Sequence, residues 1–314
     1  MAFFRAHSLC LKASLTVPFH PSPALRERRS RFIELFRTTP PHTVCPNFYV
    51  LAHANGCAFS PQCSYCYLKS SFWYLPRSEA FTNVARVIDE TRRWIARDGL
   101  ETYVLNTGNL CDSLAFERDR PLMAMLIDTF REFAAGRPHT LLLVTKGGRT
   151  ECRPLLESSA CPNVVVSFSV TNPEAALRQE KGAASVNDRL AAAHALLAAG
   201  WRVRMRIDPM IAGYDHRGIA DQVGSLPPER VTLGSLRAEP NLLRVMRDGL
   251  FVDLKPPEHP RGLARYPLEV RLNLYRPAVA ALRAICPVAL CEESEEVWRT
   301  LGLDVEARPC NCGE

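Results

Sequence analysis

Short apolar runs that alternate with longer amphipathic stretches constrain the fold of this chain most strongly. Runs of this kind, bounded by Gly or polar residues, are typical of buried parallel strands. The stretches 79–99, 121–136 and 185–200 have helical character; the last begins with Ser185 as a predicted N-cap and ends at Gly200. The predicted strands cover residues 47–56, 101–109, 140–148, 163–170, 201–210 and 230–236.

Strands joined through helices imply right-handed crossovers and a parallel sheet. Six such units predict an α/β fold, a partial (β/α)6 TIM-like barrel rather than a closed eightfold barrel. In such folds functional residues gather at the C-terminal ends of the strands. We predict an N-terminal extension over residues 1–46, the barrel over 47–250, and a C-terminal extension with a Cys-rich tail over 251–314.

Charge and hydropathy exclude several classes of protein. The 39 Lys and Arg residues outnumber the 33 Asp and Glu residues, for a net charge of +6. This excess permits a nucleic-acid partner without requiring one. No run of 18 apolar residues is present, so we expect no membrane span. Charged residues interrupt the first twenty positions, which lack the apolar core of a secretory signal, and we expect a cytoplasmic protein.

Cysteine usage points to metal binding or catalysis. The chain has 12 cysteines, and a disulfide framework is not expected in a cytoplasmic protein. Cys57, Cys63 and Cys66 lie within ten residues, with the spacing C-x5-C-x2-C. Three thiolates on one loop can bind three irons of a cubane cluster and leave the fourth iron open to a small chelating ligand. Zinc is the alternative metal, but no fourth Cys or His has a finger-like spacing, and His53 lies within a strand pattern.

The cysteine loop resembles that of the radical S-adenosylmethionine (SAM) superfamily, whose usual spacing is C-x3-C-x2-C with an aromatic residue before the last cysteine, here Tyr65. From about residue 47 onward the chain also resembles the spore photoproduct lyase family. The segments that carry this similarity are NGC…CSYCYL, TGNLCDSLAFE, VTKGG, VVVSFSV and the run from Glu180 to GWRVRMRIDPMI. The resemblance implies a [4Fe–4S] cluster on the three cysteines. When reduced, the cluster donates an electron to SAM, and the resulting 5′-deoxyadenosyl radical abstracts hydrogen from the substrate.

The resemblance also implies residues that bind SAM. Gly108 and Asn109 occupy the place of the superfamily's Gly-Gly-Glu segment, which receives the methionine ammonium; an amide is a poorer partner for a cation than a carboxylate. Lys146, at the end of the third strand, is expected to meet the SAM carboxylate or to extend to solvent as a structural lysine. Ser169, at the end of the fourth strand, is expected to bond the ribose.

Three further residues are assigned to the cofactor site with alternatives. Tyr65 either packs on adenine or relays a radical, as tyrosines near the cluster do in the lyase family. Arg206 and Asp208 lie on one face of a strand, because they are two residues apart, and either bind the cofactor or form an ion pair inside the barrel.

Tyr67 and Cys111 are the predicted catalytic residues. Tyr67 is a candidate for radical relay or for core packing. In the lyase family a cysteine in the loop of TGNLCDSLAFE returns hydrogen to the product radical. Cys111 is the candidate here, with Asn109 as the alternative occupant of the equivalent position. The tail pair Cys310 and Cys312 is the alternative donor. Together with Cys286 and Cys291, that pair could instead bind a second metal, or the tail could be a frayed end.

Three functions stay open on the sequence alone. The first is a lyase that acts on a pyrimidine lesion in DNA, supported by the resemblance and by basic residues in the N-terminal extension (Arg26, Arg28, Arg29, Arg31). The second is a radical SAM enzyme that acts on a peptide or metabolite. The third is a non-enzymatic iron–sulfur or zinc protein. Either enzyme would need a reductant such as flavodoxin or ferredoxin.

Overall fold

The computed structural model describes residues 22–37, 39–246, 249–257 and 259–313, and within them it shows a mixed α/β fold. The strands are β1 Ala24–Arg26, β2 Ile33–Phe36, β3 Phe48–Leu51, β4 Ala54–Asn55, β5 Glu79–Phe81, β6 Val104–Asn106, β7 Thr140–Thr145, β8 Val164–Val170, β9 Arg202–Met210, β10 Val231–Ser235, β11 Arg237–Ala238, β12 Ala264–Arg265 and β13 Val288–Leu290. The helices are α1 Leu68–Ser71, α2 Val84–Ile95, α3 Met123–Phe133, α4 Arg153–Leu156, α5 Pro173–Gln179, α6 Val186–Ala198, α7 Arg217–Gly224, α8 Pro240–Val245, α9 Leu268–Leu282 and α10 Glu295–Thr300, and a 3-10 turn covers Gly249–Phe251.

A central eight-stranded sheet contains all six strands predicted from the sequence. Its order is β13-β10-β9-β8-β7-β6-β3-β2, so the strands follow one another across the sheet as they do along the chain. Every pairing is parallel except that of β2 with β3. The expectation of a mostly parallel sheet built from strand–helix units is therefore confirmed.

The sheet is wider than the sequence indicated at both edges. β2 comes from the segment predicted as an N-terminal extension, and β13 comes from the segment predicted as a C-terminal extension. Each has only three or four residues, too short for its periodicity to be recognised, and each is fixed by pairing with a neighbour.

The segment that follows the cysteine loop differs from its predicted helix at its beginning. Residues 79–81 form β5, which pairs with β1 and β4 in a small separate sheet, and α2 begins only at Val84. β5 is buried along its whole length, so its backbone groups need partners, and the two neighbouring strands provide them. The third predicted helix agrees closely with α6, where the Ser185 hydroxyl accepts a hydrogen bond from the backbone N–H of Asp188.

The two faces of the central sheet have different environments. Leu141 and Leu143 of β7 lie in the main apolar core, whereas Leu142 lies in a second cluster on the opposite face. Val203, Met205 and Ile207 of β9 belong to the main core. Because side chains alternate along a strand, Arg204, Arg206 and Asp208 lie on the opposite side of the sheet. We call the side that carries these three charged residues, together with Asn106 and Ser167, the site face.

The C-terminal tail is docked on the site face. The Arg204 guanidinium donates to the backbone carbonyls of Asn311 at 2.6 Å and Gly313 at 2.8 Å, and the Asn311 N–H donates to the Thr232 hydroxyl at 2.9 Å. Cys312 packs against the second apolar cluster of this face. Residues 310–313 are therefore not a frayed end. Among the described residues, no helix has the length and apolarity needed to cross a membrane.

Candidate active site

The cysteine loop lies between β4 and α1 and is held by backbone hydrogen bonds. The Gly56 N–H donates to the Leu110 carbonyl at 3.0 Å, which joins the start of the loop to the segment after β6. The Ser64 N–H donates to the Gln179 carbonyl at 2.8 Å, which joins its far end to the end of α5. The Cys66 N–H donates to the Cys63 carbonyl at 3.1 Å and closes a turn between the last two cysteines. The loop is therefore positioned from two sides.

The three thiols of the loop are the candidate cluster ligands. Cys57, Cys63 and Cys66 are all free and partly buried. Among the residues that the structure describes, no three His, Cys, Asp or Glu side chains are arranged to hold one metal ion. A cubane cluster does not need such convergence, because each thiolate binds a different iron. Burial raises the pKa of all three thiols, that of Cys63 to about 12, so cluster loading must displace protons.

A buried carboxylate connects the cysteine loop to the strand ends. Glu180 accepts hydrogen bonds from the Tyr65 hydroxyl and from Lys146 Nζ, the latter at 2.8 Å. Its second oxygen lies 2.6 Å from Arg189 Nη2. Burial alone would raise the pKa of Glu180, but Lys146 and Arg189 lower it to about 2. The ammonium of Lys146 also lies 5.6 Å from the centre of the Tyr65 ring and 3.4 Å from the carbonyl of Asp208.

Close packing fixes this network against the cysteine loop. Gly182 follows the Glu180 turn, and a Cβ atom there would collide with the backbone of Ser60 and Pro61. Only glycine fits such a contact without a shift of the backbone. The cysteine loop and the turn at Glu180 therefore form one packed unit.

The TGN segment after β6 borders the other side of the loop. The Tyr67 hydroxyl donates to the Asn109 carbonyl. A Cβ atom on Gly108 would lie 2.6 Å from Val144 Cβ, so a side chain at that position does not fit against β7. Asp112 accepts hydrogen bonds from the backbone N–H of Lys146 at 2.6 Å and from Thr145, which fixes the segment to the end of β7.

Arg206 and Asp208 form the ion pair that was one of their two predicted roles. Asp208 also accepts two hydrogen bonds from Arg237, at 2.9 and 3.2 Å. Burial alone would raise the pKa of Asp208, but Arg237 and Arg206 hold it well below its usual value. Both guanidinium groups also donate to the sulfur of Cys291, at 3.4 Å from Arg206 and 3.1 Å from Arg237.

Some buried polar atoms on the site face are left without a partner in the part of the chain that the structure describes. Within the described ranges, Ser167 Oγ and Arg206 Nε have no hydrogen-bond partner. Ser169 is also almost buried, and its backbone carbonyl accepts from Arg189 at 2.9 Å. A polar ligand such as SAM would provide partners for such atoms, which otherwise cost free energy when buried.

Cys111 lies in a small apolar cluster just after the TGN segment. Its side chain is 2% exposed and packs with Ala54, Ala80 and Phe116. Its sulfur lies 3.2 Å from His53 Nε2 and 3.4 Å from the Thr107 carbonyl. Burial raises its pKa, so Cys111 stays a thiol at neutral pH.

Sequence reasoning assigned no role to several residues of this site. Glu180 and Arg189 lie in the segment that resembles the lyase family, but neither was given a role. A Glu and an Arg within such a segment are a signal that could have identified them as site residues. Arg237 was missed because it follows β10 on a short separate strand, where no periodicity marks it. Asp112 was missed because its partners are backbone and hydroxyl groups, which a sequence pattern does not reveal.

Comparisons with solved structures agree with the observed fold. A cysteine-to-alanine mutant of spore photoproduct lyase with dinucleoside spore photoproduct is 17% identical, with a TM-score of 0.69, over 86% of this chain and 81% of that one. The same lyase complexed with dinucleoside spore photoproduct is 19% identical, with a TM-score of 0.65 and the same coverage. A double mutant with bound AdoMet and dinucleoside spore photoproduct is also 19% identical, with a TM-score of 0.66 over the same shares. At these identities the likeness establishes the fold.

The family assignment rests on the sequence itself. No curated protein matches the chain. A family model described as spore photoproduct lyase matches residues 35–225, which is more than half of the chain and includes the cysteine loop and the strand ends described above. The chain therefore belongs to the spore photoproduct lyase family, a family of radical SAM enzymes with a [4Fe–4S] cluster.

Proposed function

We propose that this protein is a radical SAM lyase that acts on a pyrimidine lesion in DNA. The observation that carries the proposal is the hydrogen-bonded connection from the cysteine loop through Tyr65 and Glu180 to Lys146 at the strand ends, in a chain of this family. Solved relatives are complexes with the dinucleoside spore photoproduct, which supports a lesion of this chemical type as the substrate.

A partial (β/α)6 barrel of the radical SAM type, with extensions at both ends, is the architecture that we infer. The parallel strands follow chain order without reversal, as in barrels, rather than switching direction as in doubly wound sheets. The site face would then be the inner surface, and the polar ends of β7, β8 and β9 would surround the reaction space.

Cys57, Cys63 and Cys66 would hold the cluster, which when bound supplies the electron for reductive cleavage of SAM. The chain's own contribution is to hold SAM in place and exclude water. Glu180 does not compete for that ligand, because its charge is already neutralised by Lys146 and Arg189.

The remaining SAM contacts belong to the strand ends. We assign the methionine ammonium to the backbone of Gly108 and Asn109, and the methionine carboxylate to Lys146, whose side chain is 17% exposed and so still reachable. Ser169 is assigned to the ribose. Tyr65 contributes to the adenine side of the site, although its hydroxyl is held by Glu180.

Arg206 and Asp208 are proposed to act together in the cofactor site. Their ion pair fixes the geometry of the guanidinium, and Arg206 Nε, which has no hydrogen-bond partner within the described residues, is left to donate to the ligand. A charge that is already paired costs less to bury than an isolated one. The pair would therefore position a polar SAM group without an uncompensated charge.

Tyr67 and Cys111 remain the proposed catalytic residues. Tyr67 is 40% exposed and touches the Asn109 carbonyl, two residues before Cys111. A hydrogen donor must carry an S–H bond, which the raised pKa of Cys111 preserves. Cys111→Ala should leave SAM cleavage intact and divert the substrate radical to side products. A normal product from Cys111→Ala, with diversion only in the Cys310→Ala/Cys312→Ala double mutant, would assign the donor to the tail.

Anaerobic reconstitution followed by reaction with a defined lesion tests the proposed function. We expect about four irons per chain, 5′-deoxyadenosine on reduction with dithionite, and conversion of dinucleoside spore photoproduct to thymidines, measured by chromatography. About eight irons would instead place a second cluster in the tail. SAM cleavage with no turnover of the photoproduct would refute the DNA substrate and favour a peptide or metabolite.

A further inference from the structure

An exposed aromatic segment borders a cleft on the outer side of the cysteine loop. The segment runs from Phe72 to Arg77, directly after α1. Trp73 is 74% exposed and Tyr74 is 58% exposed, unusually high values for such large rings. The cleft has a volume of about 360 Å³ and lies between this segment and residues 56–60. We call it the outer cleft.

The outer cleft reaches one of the three predicted cluster ligands but not the strand ends. Cys57 lines it, together with Lys69, Trp73 and Arg77, whereas none of the residues assigned to SAM lines it. Hydrogen abstraction needs the reacting atoms in contact, at roughly 3–3.5 Å. A substrate in the outer cleft would lie on the wrong side of the loop for that step. An electron does not need such contact and can cross the loop to the cluster.

The charged residues that line the outer cleft, Lys69 and Arg77, are both basic. The segment 56–78 contains Lys69 and Arg77 and no acidic residue. Lys181 is exposed beside Gly182, which packs against Ser60 and Pro61 of the loop. A partner that docks here by charge complementarity would therefore be acidic. Exposed Trp and Tyr beside basic residues are also the composition that protein interfaces favour.

We propose that the outer cleft docks a small acidic electron-transfer protein that carries a flavin or an iron–sulfur centre. The proposal rests on the proposed function, because only a redox enzyme needs such a partner. One electron leaves the reduced centre of the donor and enters the cluster, so the donor is oxidised by one electron, and no covalent bond forms or breaks at this surface. A small interface of this kind is typical of transient redox encounters.

The test compares a cleft variant with a matched surface control. The cleft variant is Trp73→Ser/Arg77→Glu; both side chains are exposed, and Lys69 is left unchanged because its ammonium contacts the Ser64 carbonyl. The control is Arg93→Glu, which makes the same change of charge at an exposed arginine near the end of α2. Binding of flavodoxin to each reconstituted protein is measured by calorimetry, and SAM cleavage is measured with reduced flavodoxin and, separately, with dithionite.

We expect the cleft variant to bind flavodoxin about tenfold more weakly than the parent and the control, equivalent to about 1.4 kcal/mol. Its KM for reduced flavodoxin should rise by a similar factor, and its rate with dithionite should match the parent. Equal flavodoxin affinity in all three proteins would overturn the proposal. So would a cleft variant that keeps flavodoxin binding but loses affinity for a lesion-containing oligonucleotide, because the surface would then bind nucleic acid. Flavodoxin binding is measured without turnover and therefore tests the docking proposal alone. A parent protein that fails to cleave SAM with dithionite would contradict the proposed function instead.

Discussion

Replacement of Glu180 by Gln should destabilise the protein more than any nearby surface change, because Glu180 neutralises two cations. Its side chain is fully buried and lies between Lys146 and Arg189, of which Arg189 is itself fully buried. Gln keeps the size of the side chain and can still accept from Tyr65, but it removes the negative charge. The Glu180→Gln variant therefore leaves a buried guanidinium without a counter-charge.

The expected magnitude follows from the ion pairs in the structure. The pKa of Glu180 falls from 4.5 to about 2, which corresponds to about 3 kcal/mol of stabilisation at neutral pH. Loss of one partner from a buried pair costs roughly 3–5 kcal/mol. We therefore expect the free energy of unfolding to fall by about 3–4 kcal/mol. Because the folded-state pKa is lowered, this contribution is present above the unfolded value of 4.5 and is lost as the pH falls towards 2.

Urea unfolding of the cluster-free protein, followed by circular dichroism, provides the measurement. The matched control is Glu174→Gln on α5, where Glu174 pairs with Arg178 and both side chains are 62% exposed. An exposed i,i+4 pair contributes roughly 0.3–0.5 kcal/mol, so the control should be nearly neutral. The double variant Glu180→Gln/Lys146→Met should recover part of the loss, because it removes one of the unpaired charges. A Glu180→Gln variant as stable as the Glu174→Gln control would refute the reasoning.

Three further outcomes are expected. Cys63→Ala should abolish 5′-deoxyadenosine formation, measured by chromatography after reconstitution, because it removes one of three cluster ligands. The control Cys161→Ala, in the core, should still form 5′-deoxyadenosine. Formation at the parent rate by Cys63→Ala would contradict the cluster assignment. Lys146→Ala should weaken SAM binding by roughly 1.5–3 kcal/mol, the contribution of a charge-assisted hydrogen bond. Equilibrium dialysis with the cluster intact measures the dissociation constant of SAM, and an unchanged value would make Lys146 a structural residue. Gly108→Ala should lower the free energy of unfolding by about 1–3 kcal/mol, because its methyl group would clash with Val144. The control Gly218→Ala meets no atom closer than 4.0 Å and should not lower it. Equal melting temperatures of the two variants would show that the TGN segment tolerates a side chain.

The parallel sheet and the cysteine loop were accessible from the sequence because both are local signals. An apolar run such as 163–170 reports its own burial, and it became β8, buried at every position. The spacing of Cys57, Cys63 and Cys66 places three thiols on one loop whatever the rest of the chain does. The Ser185 cap is local in the same way, because its partner lies three residues away.

The contacts that organise the site depend on the tertiary structure, because periodicity shows that a residue is buried but not which residue it meets. Lys146 was expected to meet the SAM carboxylate or to extend to solvent, yet it pairs with Glu180, 34 residues further along the chain. Asp208 meets Arg237 across 29 residues, and Arg204 holds the tail across 107. The partner of a buried charge is set by strand register and helix packing, and a shift of one residue along a strand would turn the side chain to the opposite face. The sequence by itself therefore determined the strand–helix alternation and the cysteine loop, and the packing of distant segments decided how the charges and the tail are arranged on the site face.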